Sequence, residues 1–304
     1  MLKRLMKVVC QSTRPEIITL TMTAELADVY STKREGVNHI LTQVESAFPN
    51  TPILVADVDA TLRTVQKARA EPIKVAAANW AATGWLISKL KRNCIVIDVG
   101  STTTSIIPII EGEVSAQGKT DLEKLVCGEL VYTGSLRTSV AAITNTVPVR
   151  GCYARVSSEF FAQSADVHLV LSNISRKEYT VDTADGKEKT NNAALARLAR
   201  VVCADTEMLS EQEIVAIARY IYGKQVDQIA EALVQVCNRI GKLRAKNVST
   251  VVTGLGRNFL ARKASLQAGF SEVVDFGELV GSSVARVSTA YAVALMGTSH
   301  VEGR

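Results

Sequence analysis

Residues 95–104 read Ile95-Val96-Ile97-Asp98-Val99-Gly100-Ser101-Thr102-Thr103-Thr104. A short apolar run, the mark of a buried strand, ends on a carboxylate and passes into glycine and four hydroxyl residues. Such a strand end gathers a tight backbone turn, hydroxyl donors and an acid able to orient a metal, which suits a phosphate or diphosphate group. The plain alternative is a hairpin turn whose Asp and Ser serve only neighbouring backbone groups. After the turn, Ile106–Ile110 reads as a second strand and Glu111-Gly112-Glu113 as a turn, so residues 94–114 are expected to form a hairpin with the Ser/Thr loop at its first corner.

Upstream, strand-like and helix-like segments alternate, the pattern of α/β architecture. Ile17–Thr21 and Ile53–Ala56 read as strands, and Val37, Ile40, Leu41, Val44 and Phe48 form one helical face ending before Pro49. Thr61–Ala70 reads as a helix, Ile73–Ala77 as a strand and Trp80–Lys91 as a helix. Downstream, the chain turns helical from about residue 157. Asn191 or Asn192 caps one helix, Ser210 with Glu213 forms a capping box on a second, and Val226, Ile229, Ala230, Leu233, Val236, Cys237 and Ile240 line a third. Residues 177–189 form a polar loop, read as an ordinary solvated loop or a mobile lid. Val248–Val252 then runs into Thr253-Gly254-Leu255-Gly256-Arg257 and a helix at Phe259–Ala268, a second strand, glycine turn and helix suited to an anion. Ser282–Met296 closes the chain as a helix.

The 304 residues carry 35 basic and 30 acidic side chains spread along the chain, a net charge of +5 without a basic block, so a nucleic-acid surface is not expected. Six scattered cysteines without a Cys-x-x-Cys pair indicate reduced thiols and a cytoplasmic setting. Three isolated histidines argue against a zinc site or a histidine triad. No apolar run reaches the roughly 18–20 residues that span a bilayer, so no membrane partner is expected. Asp57-Val58-Asp59-Ala60-Thr61, after a strand, matches the Asp-x-Asp-x-Thr pattern of haloacid-dehalogenase-type phosphatases, though no acidic magnesium loop follows; solvated strand-end acids explain it as well.

Five stretches together carry a more specific signal: residues 20–28 (Leu-Thr-Met-Thr-Ala-Glu-Leu-Ala-Asp), 32–37 (Thr-Lys-Arg-Glu-Gly-Val), Ala78-Asn79-Trp80, 98–104, and residues 128–138 (Gly-Glu-Leu-Val-Tyr-Thr-Gly-Ser-Leu-Arg-Thr). They resemble the hydantoinase/oxoprolinase-related proteins linked to tetrahydromethanopterin one-carbon metabolism, from about residue 17 to the C-terminal helix, and within them a branch serving methanofuran biosynthesis. The run from Glu129 to Thr138 is the most specific part.

The resemblance implies an α/β fold of the actin-like ATPase superfamily (ribonuclease H-like), two-lobed, with residues 1–93 as an N-terminal lobe and 94–304 as a second lobe, and with ligand bound in the cleft. The family pattern opens with an Asp-x-Gly-Gly strand-turn; residues 1–16 read instead as a helix tail with a break at Pro15, so the first strand and its phosphate loop are expected to be missing. The implied reaction displaces diphosphate from (5-aminomethylfuran-3-yl)methyl diphosphate by the phenol oxygen of γ-glutamyltyramine, with magnesium and without ATP. On that reading Asp98 faces the metal, and Gly100, Ser101, Thr102 and Thr103, with Lys33, Arg34 and Arg137, hold the diphosphate. Glu25 and Asp28 are the candidates for general base or amine recognition, or alternatively a helix cap or ion pair. Thr23, Asn79, Tyr132, Thr133, Gly134, Gly254 and Gly256 are the expected pocket, and Trp80 is a pocket wall or simple core. The glycines at 254 and 256 stand where actin-like relatives meet adenosine, or else allow a helix to pack closely. The expected partners are the small-molecule diphosphate and phenolic amine substrates, with room for a homodimer. The rivals are an ATP-dependent hydantoinase, oxoprolinase or kinase relative, and a ligand-binding remnant without catalysis.

Overall fold

The computed structural model describes residues 15–240 and 248–303. The helix tail expected within the first sixteen residues falls, but for its last two, outside them, as does Cys10; the five described cysteines are free. No helix among the described residues is long and apolar enough to cross a membrane. The chain forms two compact units. The first holds the described residues up to 94, then Ile107–Cys127 and the chain from Ser282 on; the second holds Ile95–Ile106 and Gly128–Gly281. The first unit is thus assembled from three stretches, where a single cut at 93/94 was expected.

The first unit opens with β1 (Ile18–Leu20), α1 (Lys33–Ala47), β2 (Ile53–Ala56), β3 (Leu62–Thr64), α2 (Val65–Ala70) and α3 (Asn79–Ser88). Strands β1 and β2 pair in parallel, Leu20 beside Val55, and β3 pairs antiparallel to β2, Arg63 beside Val55. Thr32 caps α1 by accepting the Glu35 amide, and the helix buries Val37, Leu41 and Val44; the first two join a core with Met22, Val55, Ala68 and Val75. Each such side chain contributes about 1.5–3 kcal/mol on burial.

Two expected elements differ. The helix expected over 61–70 begins only at Val65, because Leu62–Thr64 is drawn into the sheet and Thr64 then caps the helix, accepting from Lys67. The strand expected over 73–77 is a 3-10 turn at Pro72–Lys74, where proline favours a helical start and Pro72 O takes the amides of Val75 and Ala76 at 3.2 and 3.0 Å.

β4 (Cys94–Val99) and β5 (Thr104–Ile110) form the hairpin expected from the sequence, with β6 (Glu113–Val114) antiparallel to the far half of β5 and α4 (Asp121–Val126) beyond it. The second unit continues with β7 (Leu130–Val131), α5 (Val140–Ile143), β8 (Thr146–Val149), β9 (Cys152–Arg155), α6 (Ser164–Val170), α7 (Asn191–Arg200), α8 (Glu211–Ile240), β10 (Ser249–Gly254), a π-helical turn at Arg257–Ala261, α9 (Arg262–Gln267), β11 (Val273–Asp275) and α10 (Phe276–Val280). Its sheet runs β11-β10-β4-β5, with β7 added to β5 at Thr104 and Ser105. The central strand is buried along Cys94–Ile97, as a strand covered on both faces must be.

Thr190 caps α7, in place of the two following asparagines. The two helices expected after Ser210 are one, α8, since Gly223 costs a helix only about 1 kcal/mol and no proline interrupts it. Its first half packs in a core with Val140, Val167 and Leu198, its second against the sheet through Val226, Ile229 and Leu233. The polar loop at 177–189 is tied down. Buried Arg197 bridges Asp166 at 2.8 Å and Asp185 at 3.1 Å, and Gln163 donates to Asp182 O at 2.6 Å. The chain returns to the first unit with α11 (Ser282–Ala285) and α12 (Ser288–Val301), a break at residues 286–287 dividing the single helix expected. Gly297 brings α12 onto Thr19 of β1, where a methyl group would stand 2.5 Å from Thr19 Cγ2.

Candidate functional site

The opening stretch forms a corner of the second unit. The hairpin closes when the Gly100 amide donates to Thr103 O at 2.9 Å. Among the described residues, the amides of Ser101, Thr102 and Thr103 then donate to no protein acceptor, and the hydroxyls of Ser101 and Thr102 lie 3.3 Å apart. Successive amides left open in a tight turn make a concavity of positive partial charge, an anion nest.

The run at 131–138 clamps this corner from outside. Ser135 donates to Gly100 O through both its amide and its hydroxyl at 2.9 Å, and the amides of Leu136 and Arg137 both donate to Ser101 O at 2.9 Å. Thr104 Oγ1 donates to Thr133 O at 2.8 Å, and the Gly134 amide to Thr138 Oγ1 at 2.9 Å. Gly134 has no room for a side chain, since a methyl group would stand 2.6 Å from the Thr102 nitrogen. The carbonyls of Gly100 and Ser101 are therefore taken up by the clamp while the amides of Ser101, Thr102 and Thr103 stay open.

The second glycine turn meets the same strand end. Gly254, at φ +84°, would put a methyl group 2.4 Å from Val99 O and 2.5 Å from Asp98 Oδ1; one on Gly256 would stand 2.4 Å from Val99 Cγ1. Gly254 is thus required by the approach of β10 to the end of β4, and Gly256, at the start of the helical turn that follows, by the close packing of that turn on Val99. Asp98 is half-buried beside Gly254. Arg257 is committed elsewhere, donating to Asp275 at 3.1 Å and to Gly254 O at 3.3 Å. Tyr132 and Arg137 project from the clamp and are exposed, and among the described residues the Arg137 guanidinium has no partner.

The remaining expected residues belong to the first unit. Glu25 is only 2% exposed and its Oε2 has no hydrogen-bond partner. Burial, above all, raises its pKa, partly opposed by backbone amides and by nearby Lys33. Gly36 lets α1 rest on this residue, since a methyl there would stand 2.2 Å from Glu25 O. Thr32 caps that helix and Glu35 takes the Ser31 amide at 2.9 Å, so neither Glu25 nor Asp28 is the cap. Lys33 is engaged with Asp121 at 2.6 Å. Thr23, Asp28 and Arg34 are exposed, and Asn79 is half-buried at the start of α3. Trp80 is core, 2% exposed, with buried Lys124 Nζ 3.8 Å above its ring.

Asp57 is also accounted for. Fully buried, it accepts the Asp59 and Thr61 amides at 3.0 and 2.9 Å, the Thr61 hydroxyl at 3.0 Å and the Arg63 guanidinium. A carboxylate so saturated is a turn anchor, and the phosphatase reading of Asp57 and Asp59 is set aside.

Two contributors were not foreseen. Lys124 lies on a six-residue helix turned against its own pattern, the lysine inside while Leu122, Leu125 and Val126 face out. Gln225 is a fully buried amide in the apolar stripe of α8 and donates to Thr133 Oγ1 at 2.8 Å. A polar residue within an apolar stripe was the available signal for it.

The family model for hydantoinase/oxoprolinase matches residues 16–296. A (4-{4-[2-(γ-L-glutamylamino)ethyl]phenoxymethyl}furan-2-yl)methanamine synthase of Methanocaldococcus jannaschii is 41% identical over 281 residues, 92% of this chain and 82% of that protein. A protein of the same name from Methanococcus vannielii is 36% identical over 209 residues, 68% of this chain and 91% of its own. Among solved structures, nucleotide-free acetone carboxylase superposes with a TM-score of 0.55 at 12% identity, over 86% of this chain and 38% of that one, a likeness of fold alone. The α/β fold is accordingly of the actin-like kind, and the chain belongs to the hydantoinase/oxoprolinase family.

Proposed function

We propose that this chain is a (4-{4-[2-(γ-L-glutamylamino)ethyl]phenoxymethyl}furan-2-yl)methanamine synthase, a transferase of methanofuran biosynthesis, like the two relatives that match most of its length. The phenoxymethyl link in that name is an aryl ether. On our reading the phenol oxygen of γ-glutamyltyramine attacks the exocyclic carbon of (5-aminomethylfuran-3-yl)methyl diphosphate. The carbon–oxygen bond to diphosphate breaks, its electron pair leaves with the diphosphate, and the phenolic proton passes to a base.

The observation that supports this best is the corner at residues 100–103, where three amides stand open and hydroxyls flank them. Donors fixed in place before reaction stabilise charge that grows on a leaving group without reorganisation. Arg137, exposed on the clamp, adds a fork suited to phosphate oxygens. Magnesium fits a site of this composition only as a companion of the diphosphate. Among the described residues no three metal-ligating side chains cluster, and Asp98 would supply the single carboxylate common in such sites. Bound there, the ion would neutralise charge on the departing oxygens. Glu25 and Asp28 remain the candidate proton acceptors, and burial raises the pKa of Glu25. ATP has no part in the proposal. Gly254 and Gly256 are explained by the protein's own packing and need no nucleotide to account for them.

The test is magnesium-dependent release of diphosphate by the purified chain, expected only with both substrates present and abolished by Asp98→Ala with the circular dichroism spectrum unchanged. Diphosphate release that persists in Asp98→Ala removes the assigned role. Turnover that requires ATP would favour the kinase-like rival.

A further inference from the structure

The clamp that shapes the anion corner is itself held from behind by a buried polar relay. Gln225 lies on α8, fully buried, and its amide nitrogen reaches Thr133 Oγ1 at 2.8 Å and Gly134 O at 3.1 Å. Those two residues set the corner, Thr133 through its carbonyl bond with Thr104 and Gly134 through backbone packing on Ser101 and Thr102. A glutamine in a core has two orientations, and only one puts its N–H groups on Thr133 and Gly134.

His168 on α6 is fully buried, tilted against Phe259 at a ring-centroid distance of 4.6 Å and edge-on to Tyr222, and burial takes its pKa down to about 3, so the ring is neutral. Asn173 Nδ2 lies 3.2 Å from Nδ1 and can only donate there, which leaves the ring proton on Nε2. Among the described residues, His168 Nε2 and Gln225 Oε1 each lack a hydrogen-bond partner within the protein. The Gly134 carbonyl can only accept, so it is the Gln225 nitrogen that is turned toward the clamp.

We propose that Gln225 is a positioning residue for the diphosphate corner, fixing Thr133–Gly134 and through them the open amides of Ser101–Thr103. This rests on the reading of the corner as the diphosphate site. Gln225 itself is fully buried.

The experiment is calorimetric titration of the full chain with inorganic diphosphate in magnesium buffer, combined with steady-state kinetics. Gln225→Glu keeps the shape and loses the N–H donors. It is expected to weaken diphosphate binding by at least about tenfold, the effect of one buried hydrogen bond lost, and to raise KM for the diphosphate substrate alike. KM for the phenolic amine should stay within about twofold, a split that general loosening would not give. Gln228→Ala, which removes another α8 amide bonded to Ile143 O at 3.1 Å, should bind diphosphate as the wild type does. Gln225→Met, which keeps the length and loses the amide, should weaken diphosphate binding in the same direction, and it decides the matter if Gln225→Glu does not fold. Unchanged diphosphate affinity in a folded Gln225→Glu, or in Gln225→Met should that be the deciding variant, overturns the inference. A wild-type chain that fails to bind diphosphate overturns the proposed function instead.

Discussion

Gly134→Ala tests the clamp with a single methyl group. That methyl would lie 2.6 Å from the nitrogen and the carbonyl carbon of Thr102 and 2.7 Å from the carbonyl carbon of Ser101. All three are backbone atoms, so no rotamer change relieves the clash. Restoring ordinary contact at 3.4 Å requires the 131–138 run, buried at Thr133, Ser135 and Leu136, and the half-buried corner to part by about 0.8 Å. Overpacking of this kind costs about 1–3 kcal/mol of stability, a few degrees in Tm for a chain of this length. The functional cost should be larger, since a misplacement near 1 Å in catalytic geometry can reduce turnover about 100-fold. The assay is initial-rate kcat/KM for diphosphate release, paired with calorimetric Tm. Gly223→Ala serves as the control: its methyl meets nothing within 4 Å on α8, so activity should be retained while stability rises by about 0.5–1 kcal/mol. Gly134→Ala activity within about threefold of wild type would refute the claim that the clamp fixes the corner.

Removing Arg197 leaves the Asp166 carboxylate buried with its principal cation gone, so Arg197→Ala should lose about 3–5 kcal/mol by urea denaturation, while the Asp166→Leu/Arg197→Met pair recovers most of it. Glu25 holds its proton more tightly folded than unfolded, so the wild type loses stability as pH rises from the ordinary value of 4.5 toward the raised one. Glu25→Gln should therefore match wild type in Tm at pH 4 and exceed it at pH 8; a lower Tm at pH 8 would contradict the burial argument. Glu213 has the opposite sign. Hydrogen bonds from the Ser210 amide, then Arg150 and the Ser210 hydroxyl, hold it down at about 2, so its capping contribution is present above 4.5 and lost as pH falls toward 2. Glu213→Gln should flatten that part of the acid unfolding curve.

The hairpin at 94–114 was legible because an apolar run, a turn with glycine and a second apolar run are local signals. The hairpin formed by β8 and β9 is equally local but was not read. Its turn residues Arg150 and Gly151 both take positive φ, and an arginine there does not announce a type I′ turn. Strand β3 escaped because three residues carry too little periodicity; pairing with β2 decides their state. For the candidate site, the motif positions could be named but not the reasons for them. Gly134 needs Thr102, Gly254 needs Asp98, and Thr133 needs Gln225, contacts that span from 32 to 156 positions in sequence and 92 in the case of Gln225. No spacing rule reaches that far, because such contacts are set by how the strands stack.

The most direct test of the central claim is amide NMR of the full chain titrated with inorganic diphosphate in magnesium buffer. If the corner is the anion site, the Ser101, Thr102 and Thr103 amide resonances should move downfield together and saturably, with the Leu136 and Arg137 amides, already bonded to Ser101 O, moving less. Saturable diphosphate binding that leaves those three amides in place and shifts resonances elsewhere would contradict it.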